Sequence, residues 1–403
     1  MKHHASHSAV SGSLDGFVTL MAAATEHRRQ AARAILAGRP LPPEIPAALG
    51  RARDELDDAL DRDGVAELTR EEDQPLRLDL SEETAQLDND VVYLEEGREA
   101  LLRHLAKRHH GFRDAVRRGL RDIAKHGVHL LLCDADALFR APGQRFLTAV
   151  QPVWNAVALG RFAAARSARP VLWTDAPLAG PGLAELVTMP PRAFTWAASL
   201  GRQIVDEAGH ESAWPLSPQK AALLESINAR LAMLLADPSW SAFAYVGSGL
   251  QFRRGETVVA RQDSRESVDE EASLALLEHV HDVVDAVDPE REHFRVEDDG
   301  RDVVVTPTAS QRDQGQEFTP AEGLAAVERA LSLDFGQGPH LVCCGGASGL
   351  RLLAGLMEKT QDLACLFVTD REDLGRQARE LCPNTAVVGH PDVAAAVFSA
   401  AAP

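Results

Sequence analysis

Lysine is nearly missing from this sequence. Only Lys2, Lys107, Lys125, Lys220 and Lys359 occur in 403 residues, so a reaction step that needs an ammonium group has few candidates. Basic residues as a whole are outnumbered, 42 Lys+Arg against 60 Asp+Glu for a net charge of −18, which leaves no basic excess to displace counterions from a phosphate backbone. Nucleic acid and anionic membranes are therefore excluded as expected partners. Long apolar runs are also absent. The stretch Phe17 to Thr25 is about half of what crosses a bilayer, and it lacks the basic flank and cleavage site of an export signal, so a cytoplasmic location is expected. The five cysteines form no CxxC pair, which argues against a disulfide framework or a cysteine zinc site and for reduced, buried thiols. Aromatics make up 5% of the chain, and Trp154, Trp173, Phe194 and Trp196 are expected to fill cores.

What is present falls into three regions. In residues 1–125, Leu49, Ala52, Leu56, Ala59 and Leu60, then Leu101, Leu102, Leu105, Phe112, Ala115, Val116 and Leu120, recur at helical spacing among charges. No strand run stands out there. Pro40, Pro42, Pro43 and Pro46 interrupt the pattern, and the acidic stretch from Glu71 to Asp90 reads as a solvated loop. A helical bundle that packs or binds a protein partner, without chemistry of its own, is expected. His3-His4 and His109-His110 read as surface residues rather than metal ligands.

From Val128 the pattern changes. Leu130 to Cys133 is a short apolar run ending in Asp134-Ala135-Asp136; a helical stretch from Arg145 to Ala168 follows, and Pro170 to Trp173 is a second apolar run ending in Thr174-Asp175. This is a βαβ unit with parallel strands. The same rhythm returns at His340–Cys344, Cys365–Val368 and Ala386–Val388, each followed by a helical stretch. A doubly wound α/β core over 126–204 and 313–403 is thus expected, interrupted by an α+β cap over 205–312. Within the cap, strands are expected at Phe243–Gly247, Gln251–Arg253, Thr257–Arg261, Phe294–Glu297 and Val303–Thr306, with helices near 217–236 and 265–287.

Ligands of open α/β sheets bind beyond the carboxyl ends of the strands. Asp134 and Asp136 end one predicted strand, Thr174 and Asp175 another, the Gly345–Gly349 turn a third and Asp370 a fourth. Two carboxylates two residues apart at such a lip suit a hard cation and an aspartyl nucleophile. A solvated loop would give the same string. The glycine turn entering a helix offers bare N–H groups to an anion at Gly345, Gly346 and Ser348, or is an ordinary connector.

The order of these elements resembles the haloacid dehalogenase superfamily. The wording Thr174-Asp175-Ala176-Pro177-Leu178-Ala179-Gly180-Pro181-Gly182-Leu183, Gly247-Ser248-Gly249-Leu250-Gln251-Phe252, Val259-Ala260-Arg261-Gln262-Asp263 and Glu297-Asp298 is similar to the trehalose-6-phosphate phosphatases that carry an N-terminal helical domain. The resemblance implies Asp134 as nucleophile, Asp136 as general acid/base and Thr174 as phosphate-binding hydroxyl. It also implies Mg²⁺ at Asp134 and Asp136, a sugar phosphate such as trehalose 6-phosphate as ligand, and sugar recognition by the cap around Gly247, Ser248, Gly249, Gln251, Arg253, Arg261 and Glu297.

The sequence departs from that pattern at three places. Ala137 and Leu138 replace the Gly and Thr after DxD; Pro320 stands where the third motif has Lys; and Cys344-Gly345-Gly346-Ala347-Ser348-Gly349 replaces a Gly-Asp-Thr-x-x-Asp turn, with glycine at both carboxylate positions. A lost transition-state charge donor costs about 10²- to 10³-fold in rate, and Mg²⁺ is held by only one or two carboxylates in most sites. Weakened or lost phosphatase activity is expected, the alternative being a sensor or regulator that binds without cleaving. Asp175 or Asp370 is the candidate replacement for the metal ligands, and Arg253 or Arg261 for the missing positive charge.

Overall fold

The computed structural model describes residues 12–70, 75–141, 144–166, 169–308 and 318–402. His3-His4, residues 71–74 and residues 309–317 lie outside the described residues. The first helix, α1 (Leu14–Leu36), is capped by Ser13, whose Oγ accepts from Gly16 N at 3.0 Å, and buries Phe17, Met21, Ala24, Arg28 and Ala31 at helical spacing. Pro40, Pro42 and Pro43 separate it from α2 (Glu44–Ala59), as the sequence predicts, whereas Pro46 lies in the first turn of α2 and does not interrupt it.

Two expectations for this region are corrected. A hairpin of β1 (Val65–Leu68) and β2 (Leu76–Asp79) lies where no strand was expected, each strand only four residues long. The second half of the acidic stretch read as solvated lies in helix α3 (Ser81–Glu96), with Glu83, Asn89 and Asp90 buried. Charge hides there by pairing: Arg28 Nε donates to Asp90 Oδ2 at 2.6 Å with both side chains fully covered, while Asp90 Oδ1 accepts from Val153 N at 2.7 Å. Helices α4 (Arg98–Arg108) and α5 (Phe112–Ala124) complete the region.

The core follows with β3 (Leu130–Asp134), the short α6 (Ala135–Phe139), α7 (Val153–Arg166), β4 (Arg169–Trp173), α8 (Leu183–Leu186), β5 (Thr195–Ala198), β6 (Gln203–Val205) and β7 (Glu211–Ala213). Helix α7 starts eight residues later than the predicted Arg145, and the core sheet runs on to Ala213, past the expected boundary at 204. After the cap the chain returns with α11 (Pro320–Leu331), β12 (His340–Gly345), α12 (Gly346–Met357), β13 (Leu363–Val368), α13 (Glu372–Leu381), β14 (Thr385–Val388) and α14 (Pro391–Ala401). Among the described residues these strands form an eight-stranded sheet in the order β14-β13-β12-β3-β4-β5-β6-β7, every pairing parallel except β5–β6 and β6–β7.

Alternate residues of β3 feed two apolar layers. Leu131 and Cys133 pack in the layer that holds Phe162 of α7 and Phe398 of α14, whereas Leu130 and Leu132 pack in the one that holds Leu324, Leu352 and Leu353 of α11 and α12. The chain moves one way from β3 and later returns to β12 on its other side. That reversal puts a crevice at the carboxyl ends of β3 and β12.

The cap comprises α9 (Pro218–Ala236), β8 (Leu250–Arg253), β9 (Glu256–Ala260), α10 (Glu270–Val287), β10 (Phe294–Asp298) and β11 (Asp302–Pro307), its antiparallel sheet ordered β10-β11-β9-β8. The expected strand at Phe243–Gly247 is instead a 3₁₀ turn over Ser241–Tyr245. Gly249, at φ +64°, explains the tight exit from it, since a Cβ there would lie 2.9 Å from Ala244 O.

The buried Arg28–Asp90 pair fastens α1 and α3 to the start of α7. Asp90→Ala, which strands the Arg28 charge, should lower unfolding free energy by about 3–5 kcal/mol in urea titrations, and the double change Arg28→Met, Asp90→Leu by much less. A loss below about 1 kcal/mol for Asp90→Ala would show that the pair does not fasten these helices.

Candidate active site

The crevice is a cleft of about 800 Å³ between core and cap, a size suited to a small ligand. Each parallel strand end delivers one part. β3 ends in Asp134, which is 5% exposed and caps α6, its Oδ1 accepting from Asp136 N at 3.0 Å and Ala137 N at 3.4 Å. The first turn of α6 presents Asp136, and β4 runs into Thr174 and Asp175. β12 ends in Gly345, and β13 leads to Asp370 and Arg371 on the rim.

These groups are already engaged with one another. Thr174 Oγ1 donates to Asp136 Oδ2 at 2.6 Å, and Arg140 Nη1 donates to Asp136 Oδ1 at 3.3 Å. Ser348 Oγ donates to Asp175 Oδ2. The Asp175 carboxylate therefore reaches the very turn that lacks its own acids. Burial, then the nearby Asp136 and Asp175 charges, push the Asp134 carboxyl well above the ordinary range, against two backbone N–H groups that pull it down. Burial also raises Asp175, opposed first by Arg253.

The glycine turn is fixed by its surroundings. At Gly345, one of the two positions expected to carry a carboxylate, an added Cβ would lie 2.3 Å from Val368 O and 3.0 Å from the Ala137 Cβ. At the other, Gly349, it would meet Cys344 backbone and side chain at 3.2 Å. Helix α12 begins at Gly346 with no side chain capping it, so its first N–H groups are available at the cleft wall.

Across the cleft, Gln251, Ser248 and Arg253 enter from the cap. Arg253 is mostly buried, donating to Gln251 Oε1 and Glu256 Oε1 at 3.1 Å each; burial works against its charge, and Glu256, Asp175 and Asp302 outweigh it. No lysine lines the cleft among the described residues. Pro320 begins α11, and Lys359 pairs with Glu328 at 2.6 Å.

Asp134, Asp136, Asp175, Ser248, Gln251, Arg253, Gly345, Gly346, Ser348 and Asp370 thus share one cleft. Thr174 lies directly behind Asp136. The other expected residues stand apart. Arg261 is held within the cap by Asp298 at 2.7 Å and Ser273 at 2.8 Å; exposed Glu297 faces a second cavity of about 660 Å³; Gly247 and Gly249 shape the turn before β8. Sequence reasoning missed Asp302, which accepts from Ser248 Oγ at 2.9 Å, and the arginines Arg140, Arg265, Arg301 and Arg371. Only Arg140, four residues after Asp136, carried a local signal. Cys343 and Cys344 are buried, and their thiols are pushed well above their usual range, by burial for Cys343 and by the Cys365 contact first for Cys344, as inert packing requires.

A carboxyl whose folded-state value is raised contributes stability at low pH that drains away as pH rises through that value. In metal-free buffer at about pH 7, Asp134→Asn should therefore raise the melting temperature by about 2–4 °C, and the gain should vanish near pH 4. Equal melting shifts at both pH values would contradict the crowding of charge at this lip.

Residues 131–394 match the family described as trehalose-6-phosphate phosphatase, C-terminal, and residues 13–109 match the trehalose-6-phosphate phosphatase N-terminal helical bundle domain. A UDP-forming alpha,alpha-trehalose-phosphate synthase 2 of Aphelenchoides avenae is 25% identical over 391 residues, covering 92% of this chain and 30% of that protein. A trehalose-phosphatase of Caenorhabditis elegans is 24% identical over 287 residues, covering 67% of this chain and 62% of that one. The chain spans about a third of the length of the synthases it matches. Among solved structures, the Candida albicans trehalose-6-phosphate phosphatase C-terminal domain aligns with TM-score 0.47 at 11% identity, over 71% of this chain and 96% of that one. With the family match spanning most of the chain, from β3 to the start of α14, this protein belongs to the trehalose-6-phosphate phosphatase family.

Proposed function

We propose that this chain binds a sugar phosphate, trehalose 6-phosphate or a close relative, in the cleft between core and cap, and hydrolyses it slowly. The observation that carries the reading is the pairing of a preserved Asp134-x-Asp136 lip with glycine at both expected metal-holding positions, where Asp175 reaches in through Ser348 instead. In this reading Asp134 attacks phosphorus as the bond to the sugar oxygen breaks, Asp136 hands that oxygen a proton and then takes one from the water that frees phosphate from Asp134, and Thr174 orients Asp136. Arg253 and the free N–H groups opening α12 hold phosphate oxygens.

The residues present fit a weak hard-cation site. Asp134 and Asp175 are the carboxylates that would hold Mg²⁺, and their raised values mark charge that a cation would relieve. When bound, the ion would offset the crowded negative charge of carboxylates and phosphate. A binding-only role as a sensor draws support from Asp136. Both of its oxygens are already engaged, by Thr174 and Arg140, so less of the carboxyl is left to meet a sugar oxygen.

Phosphate release from trehalose 6-phosphate in the presence of Mg²⁺, together with calorimetric titration of the sugar phosphate, tests the reading. Saturable binding is expected, with turnover about 10²- to 10³-fold below that of a relative carrying all four motifs, and no turnover in Asp134→Asn. Absence of binding, or turnover that survives Asp134→Asn, would overturn it.

A further inference from the structure

A group of chemistry-bearing side chains lies outside the cleft machinery, where the helical region meets the core. His109, just after α4, meets His390 and Asp392 at the start of α14. The geometry points to a second metal site: His109, His390 and Asp392 bind one divalent transition-metal ion of the Zn²⁺ class, clamping the end of α4 to the start of α14.

The spacing is that of a tetrahedral site. One ligand atom from each residue lies within 4.8 Å of the others, and His109 Nε2 and His390 Nδ1 stand 2.9 and 3.4 Å from Asp392 Oδ2. Bonds of about 2.0–2.1 Å around a tetrahedral ion place its ligands roughly 3.3 Å apart. Two imidazoles and one carboxylate favour Zn²⁺ over Mg²⁺ or Ca²⁺, which take oxygen. The rings are held for the task. The other nitrogen of His390 faces Glu82 Oε2 at 3.8 Å, and Arg108 Nη2 anchors Glu82 at 2.9 Å. All three side chains are at most 17% exposed.

A second observation points into the same place. Asn89 is fully buried with its Nδ2 3.5 Å from Asp392 Oδ2, and its Oδ1 has no hydrogen-bond partner. A water on the ion's fourth position would supply the proton that this oxygen lacks. Against the ion stand two bonds that it would replace, His109 Nε2 with Asp392 Oδ2 at 2.9 Å and the Asp392 N–H donated to His390 Nδ1 at 3.1 Å, since the ion takes a lone pair of each nitrogen. His390 and Asp392 flank Pro391, and Gly389 and Pro391 line the cleft, so the clamp would fix one wall of it without entering it.

Zn²⁺ titrated calorimetrically into the metal-free full chain, with Co²⁺ absorption as a second readout, tests this. One ion per chain with a tetrahedral Co²⁺ spectrum is expected. Affinity should fall tenfold or more in His109→Gln and in His390→Asn, the latter keeping a side chain that caps α14. A chain with His3, His4 and His7 changed to Ser should bind as the parent does. Equal Zn²⁺ binding by His109→Gln and His390→Asn would overturn the site, as would loss of binding on removing the three N-terminal histidines. So would the absence of any binding, which would leave the cluster as a proton-shared His109–Asp392 pair.

Discussion

Crowded negative charge at the end of one buried strand governs this molecule. Asp134 sits at the end of β3 with almost no solvent, Asp136 follows on the first turn of α6, and Asp175 arrives from β4. A strand covered on both faces leaves its last side chain nowhere to go but the crevice, so the crowding comes from the fold itself. Desolvated carboxylates in such numbers are costly unless something positive or a proton shares the space. Arg140, Arg253 and the N–H groups of α6 supply part of that compensation from the protein.

The missing acids follow from how the neighbouring turn is packed. Backbone of β13 approaches Gly345 so closely that no side chain fits, and Ala137, where the family pattern has glycine, presses from the other side. Ala137 adds to an approach that the β13 backbone already sets, since a Cβ at 345 would lie 2.3 Å from Val368 O whatever stands at 137. Asp175, tied to Ser348, brings a carboxylate to that turn from a different strand.

Much of this was legible in the sequence because it is local. Apolar runs of four to six residues with an Asp or Gly at or within two residues of their end mark β3, β4, β12 and β13, and the helices between them follow from their spacing. What escaped is what depends on distant partners. The charges of α3 look solvated in a window of residues, yet Asp90 is satisfied by Arg28 and Glu83 by Arg145 and Thr148, all far along the chain. The strands β1 and β2 are too short to show alternation. Arg253 and Arg261 look alike in sequence, yet the first, at the end of β8, reaches the cleft, and Asp298 keeps the second.

Mg²⁺ binding measured calorimetrically in the absence of substrate addresses the crowded carboxylates most directly. The account predicts a single weak binding event that disappears in both Asp134→Asn and Asp175→Asn. Mg²⁺ binding that persists in Asp175→Asn, or no binding by the parent chain at millimolar ion, would contradict it.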